Sequence, residues 1–176
     1  ADQLQALEIE SGAGDVSIIG VDAQTDIKVM AKILTTDHRD YELSLKTRGD
    51  RAVLVADHDS QFGFHYGDSP RIDLTITMPK HLMIELDDGS GSIDIRNVNN
   101  KINIDDGSGE LSLLNIQGDV TIEDGSGDLS VSNVKGNLDI DDGSGEVEVE
   151  NVYGNVAITD GSGDLSVLDT QGVVTI

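Results

Sequence analysis

The sequence contains no cysteine and no tryptophan, only two prolines, and aromatic residues make up 3% of its 176 residues. The lack of cysteine excludes disulfide bonds and thiolate metal sites. No apolar run approaches the length of about 18 residues that a transmembrane helix needs, so no membrane span is predicted. Bases are also scarce, with 11 lysines and arginines against 34 acids and a net charge of −23. This charge argues against nucleic acid as a partner, because phosphate binding needs a basic surface.

The sequence is dominated instead by a repeat, in which the tetrapeptide DGSG recurs every 18 residues. Between the copies, apolar residues come in two pairs spaced by two, such as Ile93 with Ile95 and Ile102 with Ile104. Period two is typical of strands with one buried face, and rows of identical phase favour parallel strands stacked about 4.8 Å apart. We therefore predict an all-β fold: a single-stranded parallel β-helix (β-solenoid) with 18-residue rungs of two short strands. Right-handed winding is expected by analogy with other parallel crossovers.

Turn residues mark two corners in each rung. Glycine in DGSG permits a positive φ, and the preceding Asp can accept a hydrogen bond from the backbone N–H two residues on. At the opposite corner, Asn tolerates the left-handed conformation and stacked amides can bond along the axis. The predicted turn residues are Gly89, Gly107, Gly125, Gly143 and Gly161 at the first corner, with the glycines at 91, 109, 127, 145 and 163, and Asn97, Asn115, Asn133 and Asn151 at the second.

The aspartates of DGSG form a column of like charges. In water, carboxylates about 4.8 Å apart repel by roughly 1 kcal/mol per pair, so they are either well solvated and bonded to backbone N–H groups or accompanied by cations. Carboxylate oxygens suit calcium. The candidate calcium ligands are Asp88, Asp106, Asp124, Asp142 and Asp160. The repeat lacks the nine-residue spacing of calcium-binding β-rolls, which favours a purely structural turn, and no other cofactor is predicted.

Residues 1–86 are related to the repeat but irregular. The stretch ESGAGDVSI from Glu10 is a degenerate copy of EDGSGDLSV, and Leu7 and Ile9 match the strand before each DGSG. We expect longer, less regular coils that cap and extend the solenoid, and one domain over residues 1–176, because no linker separates the halves. Alternating patterns predict further strands at about 25–34, 41–47, 51–56, 71–77 and 82–86.

One segment, DHDSQFGFHYGDSPR, holds both phenylalanines of the chain. It is interpreted either as a cap over one end of the solenoid, as a sugar- or peptide-stacking platform with polar residues that orient the ligand, or as a loose transition-metal site. The candidate ligand residues are Asp57, His58, Asp59, Phe62, Phe64, His65, Tyr66 and Arg71.

The sequence predicts no catalytic residue. Carboxylates are so abundant that no pair stands out, and the repeats carry only three bases, Arg96, Lys101 and Lys135. Neither a nucleophile elbow nor a phosphate-binding loop is present. A polysaccharide-active enzyme is therefore the third hypothesis, after a binding scaffold and a calcium-stabilised solenoid.

The degenerate unit SGAGDVSI, the strand end ITMPK and the serial units DGSGDLSV and NVKGNLDI resemble the bacterial putative-adhesin family of β-strand-repeat proteins, long classified as a domain of unknown function. The resemblance covers about residues 5–176. It implies a right-handed single-stranded β-helix, export to the periplasm or cell surface, and an adhesive or scaffolding role with a glycan or protein partner. The family has no established catalytic or ligand residues to transfer.

The last rung ends on a strand at Ile176. An uncovered solenoid end exposes strand edges and apolar side chains. We expect this end to pair with a second copy, forming a homodimer through the C-terminal rung, or to be covered by a further segment.

Overall fold

The structure is a computed structural model that describes residues 4–35, 41–58 and 70–176. These residues form seventeen β-strands, and no helix among them could cross a membrane. The strands of the first half are β1 (Ala6–Ser11), β2 (Val16–Val21), β3 (Lys28–Leu34), β4 (Tyr41–Arg48), β5 (Arg51–His58), β6 (Arg71–Pro79) and β7 (Met83–Asp88). Those of the second half are β8 (Ile93–Val98), β9 (Ile102–Asp106), β10 (Leu111–Ile116), β11 (Val120–Asp124), β12 (Leu129–Val134), β13 (Leu138–Asp142), β14 (Val147–Val152), β15 (Val156–Asp160), β16 (Leu165–Leu168) and β17 (Val174–Thr175).

The strands form two sheets. The first sheet has the order β17-β15-β13-β11-β9-β7-β1-β5-β4, and the second has the order β16-β14-β12-β10-β8-β2-β6-β3. Within the repeats, neighbouring strands are parallel and shifted by one repeat, so that Val120 lies opposite Ile102 on one side and Leu138 on the other. The expected all-β, β-solenoid-like architecture, rich in parallel pairs, is confirmed.

The core lies between the inward faces of the two sheets. In β12, for example, Leu129, Val131 and Val134 are buried while the serines between them are partly exposed. Because each such residue stacks on its counterpart from the next rung, one hydrophobic cluster extends from Leu7 to Ile158. Each fully buried Leu, Ile or Val contributes about 1.5–3 kcal/mol relative to leaving it exposed.

The first half does not follow the order of the chain. The rung formed by β1 and β2 lies inside the stack, with Ala6 opposite Arg51 of β5 and also opposite Met83 of β7. The chain leaves β2 for the far edge, where β3 and β4 pair antiparallel with β6 and β5, and then returns. The expectation of coils that simply extend the solenoid is corrected in this respect. Covering both edges of β1 with apolar strands buries Leu7 and Ile9 completely, which a position at the end of the stack would not.

The two glycines of DGSG have different roles. Positive φ occurs at the second glycine, with values of 143–156° at positions 91, 109, 127, 145 and 163. Both glycines lie so close to the preceding rung that a Cβ would overlap its backbone: on Gly107 it would meet the carbonyl oxygen of Gly89, and on Gly109 that of Gly91. For the first glycine, this close packing is the only one of the two requirements. The expectation of positive φ is therefore wrong for Gly89, Gly107, Gly125, Gly143 and Gly161.

The opposite corner carries the asparagine ladder. Asn97, Asn115, Asn133 and Asn151 adopt φ values of 57–60°. The Asn115 Nδ2 group donates to Asn97 Oδ1 at 3.1 Å, and Asn133 repeats this bond to Asn115 at 3.1 Å. Asn is one of the few residues with a side chain that tolerates this backbone region, so the ladder combines a turn with a side-chain bond between rungs.

Candidate functional site

Five strands of the first sheet, β7, β9, β11, β13 and β15, place one aspartate each on the inward face, beside the DGSG corner. In β9, Ile102, Ile104 and Asp106 all point inward because they are spaced by two. The aspartates are as buried as the core, with exposed fractions of 2% for Asp88, 1% for Asp106, 4% for Asp124 and 1% for Asp142. Asp160, at the end of the series, is partly exposed.

Asp106 and Asp124 close their turns with one carboxylate oxygen each. Ser108 N donates to Asp106 Oδ1 at 3.1 Å, and Ser126 N donates to Asp124 Oδ1 at 3.0 Å. The second oxygen of both side chains is buried and, among the described residues, has no hydrogen-bond partner. The carboxyls are therefore not the solvated groups that an ordinary surface turn would present.

Burial dominates the electrostatics of the column. Burial raises the pKa of Asp88 to about 6, partly opposed by the nearby hydroxyl of Ser11. Burial also raises the pKa of Asp106 to about 6, and the carboxylate of Asp88 adds to this effect. The same two causes, burial first and a neighbouring aspartate second, raise the pKa of Asp124 and of Asp142. Burial without a compensating cation disfavours the charged form of a carboxyl and therefore raises its pKa.

The described residues show no group of three or more His, Asp or Glu side chains that could hold one metal ion. The column presents its carboxyls one per rung rather than around a common centre, whereas calcium takes six to eight oxygen ligands. Calcium binding by the column is thus still a prediction, and the geometry adds no ligand set to support it.

A different acidic feature lies on the outer face of the first sheet. A groove of about 490 Å³ crosses β1, β7, β9 and β11, and we call it the acidic groove. Its charged lining consists of Glu8, Glu10, Glu85, Asp87, Asp105, Glu123 and one base, Lys101. At its edge, the Arg51 guanidinium lies 3.7 Å from Glu8 and also contacts Glu85. The groove therefore presents several carboxylates with few counter-charges.

The family profile described as Toastrack DUF4097 matches residues 4–175. This chain belongs to the Toastrack family. The match confirms the resemblance inferred from the repeats. None of the curated proteins compared with the chain matches it. A solved structure, described as a putative cell adhesion protein from Clostridium sporogenes, aligns with this Toastrack chain with a TM-score of 0.65 and 16% identity, over 94% of this chain and 92% of that one. At this identity the likeness concerns the fold alone.

The Toastrack structure separates the candidate residues of the aromatic segment. Asp57 is exposed near the end of β5, and its carboxylate lies against Gly12 of the neighbouring rung. His58 is the last residue of β5, and Arg71, the first of β6, lies 3.3 Å from Asp73. The remaining candidates, Asp59, Phe62, Phe64, His65 and Tyr66, lie outside the described residues.

Sequence reasoning missed the acidic groove of this Toastrack chain. Its lining joins β1 to β7, two strands that are far apart in the chain but paired from Ala6 opposite Met83 to Ser11 opposite Asp88. Part of the groove could have been predicted from the sequence: Leu7 and Ile9 match the apolar columns of the repeat, which assigns Glu8 and Glu10 to the outer face. The sequence pattern does not indicate which strand lies next to β1.

Proposed function

We propose that this Toastrack chain is a non-catalytic binding scaffold of the cell envelope or cell surface, exported from the cytoplasm, that holds a glycan or protein partner. The observation that carries the proposal is the acidic groove, a concave surface of fixed backbone with carboxylates at regular spacing. Parallel rungs hold these side chains at a repeat of about 4.8 Å, which suits an extended partner with periodic positive groups. The adhesion function ascribed to the Clostridium sporogenes protein is consistent with this role. We also take the solenoid to be right-handed, as parallel crossovers generally are.

The groove chemistry favours a partner with basic groups, such as a Lys- or Arg-rich protein segment or a glycan bearing amino groups. Electrostatic complementarity contributes mainly to the association rate and to specificity, and salt weakens it. Binding should therefore weaken as ionic strength rises. A purely apolar contact would show little such dependence.

The test is a binding screen against envelope polysaccharides, amino-sugar polymers and basic peptides at low and high salt. A groove variant, Glu10→Gln with Glu123→Gln, is compared with a matched control, Glu148→Gln with Glu150→Gln, which removes the same charge from the outer face of the second sheet. We expect the groove variant to lose affinity and the control to retain it. Equal loss in both variants, or binding that survives in the groove variant, would refute the groove as the contact surface.

Two further arms address the other candidates. A variant with a shortened 58–68 segment tests the aromatic platform. A comparison of calcium with chelator tests the calcium-stabilised solenoid. Loss of polymer viscosity on incubation would support a polysaccharide-active enzyme, and we expect none.

Pairing of two copies through the last rung is also a proposal. Leu168, Val173 and Ile176 at that end are 57%, 68% and 76% exposed. Light scattering over a range of concentrations should show a dimer that dissociates when Leu168 and Val173 are replaced by serine. A monomer at all concentrations would refute it.

A further inference from the structure

The buried aspartates belong to a continuous column of polar side chains inside the hydrophobic core. Parallel pairing places one member of the column directly opposite the next, so neighbours are about 4.8 Å apart. The members, in spatial order, are Ser11, Asp88, Asp106, Asp124, Asp142 and Asp160. Beyond Ser11 the next strand supplies Ala56, which is fully buried, so the column is closed at that end and partly open to water at Asp160.

The column contains more hydrogen-bond acceptors than the described protein can satisfy. One oxygen of Asp106 and one of Asp124 lack a partner, and neither oxygen of Asp88 or Asp142 has a hydrogen bond of good geometry. Ser11 is 6% exposed, its hydroxyl also lacks such a bond, and it lies opposite Asp88. Leaving a buried carboxylate oxygen without a donor is costly, and the column repeats this cost on successive rungs.

The charged groups that act on the column are all acidic. Asp87 and Asp15 act on Asp88, and Asp105 acts on Asp106. Asp141 and Asp160 act on Asp142. The second sheet, packed against the column from the opposite side, contributes apolar residues at the same corner, namely Ile93, Leu111, Leu129 and Val147. None of the described lysines, arginines or histidines is among the groups that shift these carboxyls.

Either a bound cation or a bound proton could offset the cost of burying these negatively charged oxygens. A cation would need several carboxylates around one point, and the described residues provide no group of three. A proton needs only two oxygens on neighbouring rungs, because a protonated carboxyl is a donor and the adjacent carboxylate is an acceptor. Hydrogen bonds of this kind, with one ionised partner, are stronger than neutral ones.

We propose that the aspartate column is a proton-binding site, in which successive carboxyls share protons taken from solvent. Each protonated oxygen donates a hydrogen bond to the ionised carboxyl of the next rung. At the closed end, the Ser11 hydroxyl donates a hydrogen bond to Asp88. The raised pKa values of Asp88 and Asp106, each about 6, agree with this arrangement. When the last protons leave, adjacent carboxylates repel inside the core and the DGSG corner is weakened. This inference does not depend on the acidic groove or on any partner.

The chain offers a matched pair of variants in β9. Asp106→Asn replaces a buried carboxyl by an amide of the same shape, which resembles the protonated side chain and can donate a hydrogen bond. Asp105→Asn makes the same change one residue earlier, on the exposed face. Urea unfolding and proton release on unfolding are measured for both variants and the unmodified protein at pH 5 and pH 8.

At pH 5 the folded column retains protons that the unfolded chain gives up, so unfolding should release fewer protons in Asp106→Asn, by up to about one per molecule, than in the unmodified protein. The variant should be more stable than the unmodified protein at both pH values, and its advantage in the unfolding equilibrium constant should be about tenfold larger at pH 8 than at pH 5, because the buried carboxyl loses its proton in this interval. Asp105→Asn should change both quantities much less, because Asp105 is exposed and makes the smallest of the contributions that raise the pKa of Asp106. A side chain with a purely structural role would not produce a stability gain that grows with pH.

Side-chain carboxyl NMR titration of the unmodified protein gives a measurement that does not depend on variant folding. At least one column aspartate should titrate at about pH 6 or above, well above the usual value near 3.9. Ordinary titration of every aspartate, or identical proton release in the two variants, would overturn the proposal. A large stabilisation by calcium that is reversed by chelator and abolished in Asp106→Asn would also overturn it, since a metal ion would then occupy the column.

Discussion

Replacement of Gly127 by alanine tests whether close packing between rungs, rather than turn conformation alone, requires glycine at the DGSG corner. Gly127 has φ of 147°, a region that is nearly closed to other residues and costs about 1–3 kcal/mol. A Cβ there would also overlap the carbonyl oxygen of Gly109 in the rung below. Relief of that overlap requires a shift that weakens the bonds from Gly127 N to Ser144 O (2.9 Å) and from Gly109 N to Ser126 O (3.0 Å). At about 1 kcal/mol for each bond, the total destabilisation should be about 3–5 kcal/mol.

The control for this variant is Gly49→Ala in the tight turn between β4 and β5. Gly49 also has a positive φ, 66°, but a Cβ there would meet no atom within 4 Å. The expected cost is therefore only the conformational one, about 1–2 kcal/mol. Urea unfolding followed by circular dichroism gives both values, with the slope of the transition compared to check that the cooperative unit is unchanged. If Gly127→Ala costs no more than Gly49→Ala, the packing argument is wrong.

Three further predictions follow from the core, the second corner and the buried carboxyls. Leu129→Ala, at a fully buried position, should lower the free energy of unfolding by about 2–5 kcal/mol, whereas Leu45→Ala, at a position 45% exposed, should cost less than about 1 kcal/mol in the same urea assay. Asn133→Gly should cost less than Asn133→Ala, because both variants lose the side-chain bonds but only glycine adopts the positive φ of 60° without strain. The reverse order of urea midpoints would show that the left-handed conformation is not what this corner requires. Stability should fall as the pH rises from about 4 to about 7: the pKa of Asp88 and of Asp106 is raised from 3.8 to about 6, so the folded state binds more protons than the unfolded chain in this interval, and each shift corresponds to at most about 3 kcal/mol. Urea midpoints that rise steadily from pH 5 to pH 8 would contradict this sign.

Much of the repeat half could be predicted because one rung determines the next. The apolar pair Ile102 and Ile104 recurs 18 residues later as Val120 and Ile122. A parallel register that places each residue opposite its counterpart keeps both pairs on the inward face, and this is the register observed. The strand positions followed from the same alternation. The repeat gives no information, however, on which strand covers a rung that departs from the pattern.

The first half shows where that information was missing. Leu7 and Ile9 match the repeat columns, but nothing in their spacing indicates that β5 and β7 lie on either side of them. One local signal did bear on the antiparallel edge: Gly49 and Asp50 form the short turn that joins β4 to β5, and a two-residue turn with glycine favours a hairpin.

The burial of the aspartates was also within reach of the sequence. Asp106 follows Ile102 and Ile104 at the same spacing of two, which places it on the inward face by parity alone. Residue type argued the other way, since a charged residue beside glycine is usually exposed. The alternation of the strand, rather than residue type, determines that Asp106 is buried, because at this inward position its carboxylate accepts a hydrogen bond from the backbone N–H of Ser108.

The interior position of β1 has a consequence for the order of events during synthesis. Strand β1 emerges from the ribosome early, yet its partners on either side begin only at Arg51 and Met83. Contacts so distant in sequence are slow to form, whereas each later rung pairs with the rung that immediately precedes it in the chain. We expect the first half to assemble as a unit once β7 has been made, and then to act as a template on which the remaining rungs are added in the order in which they are translated.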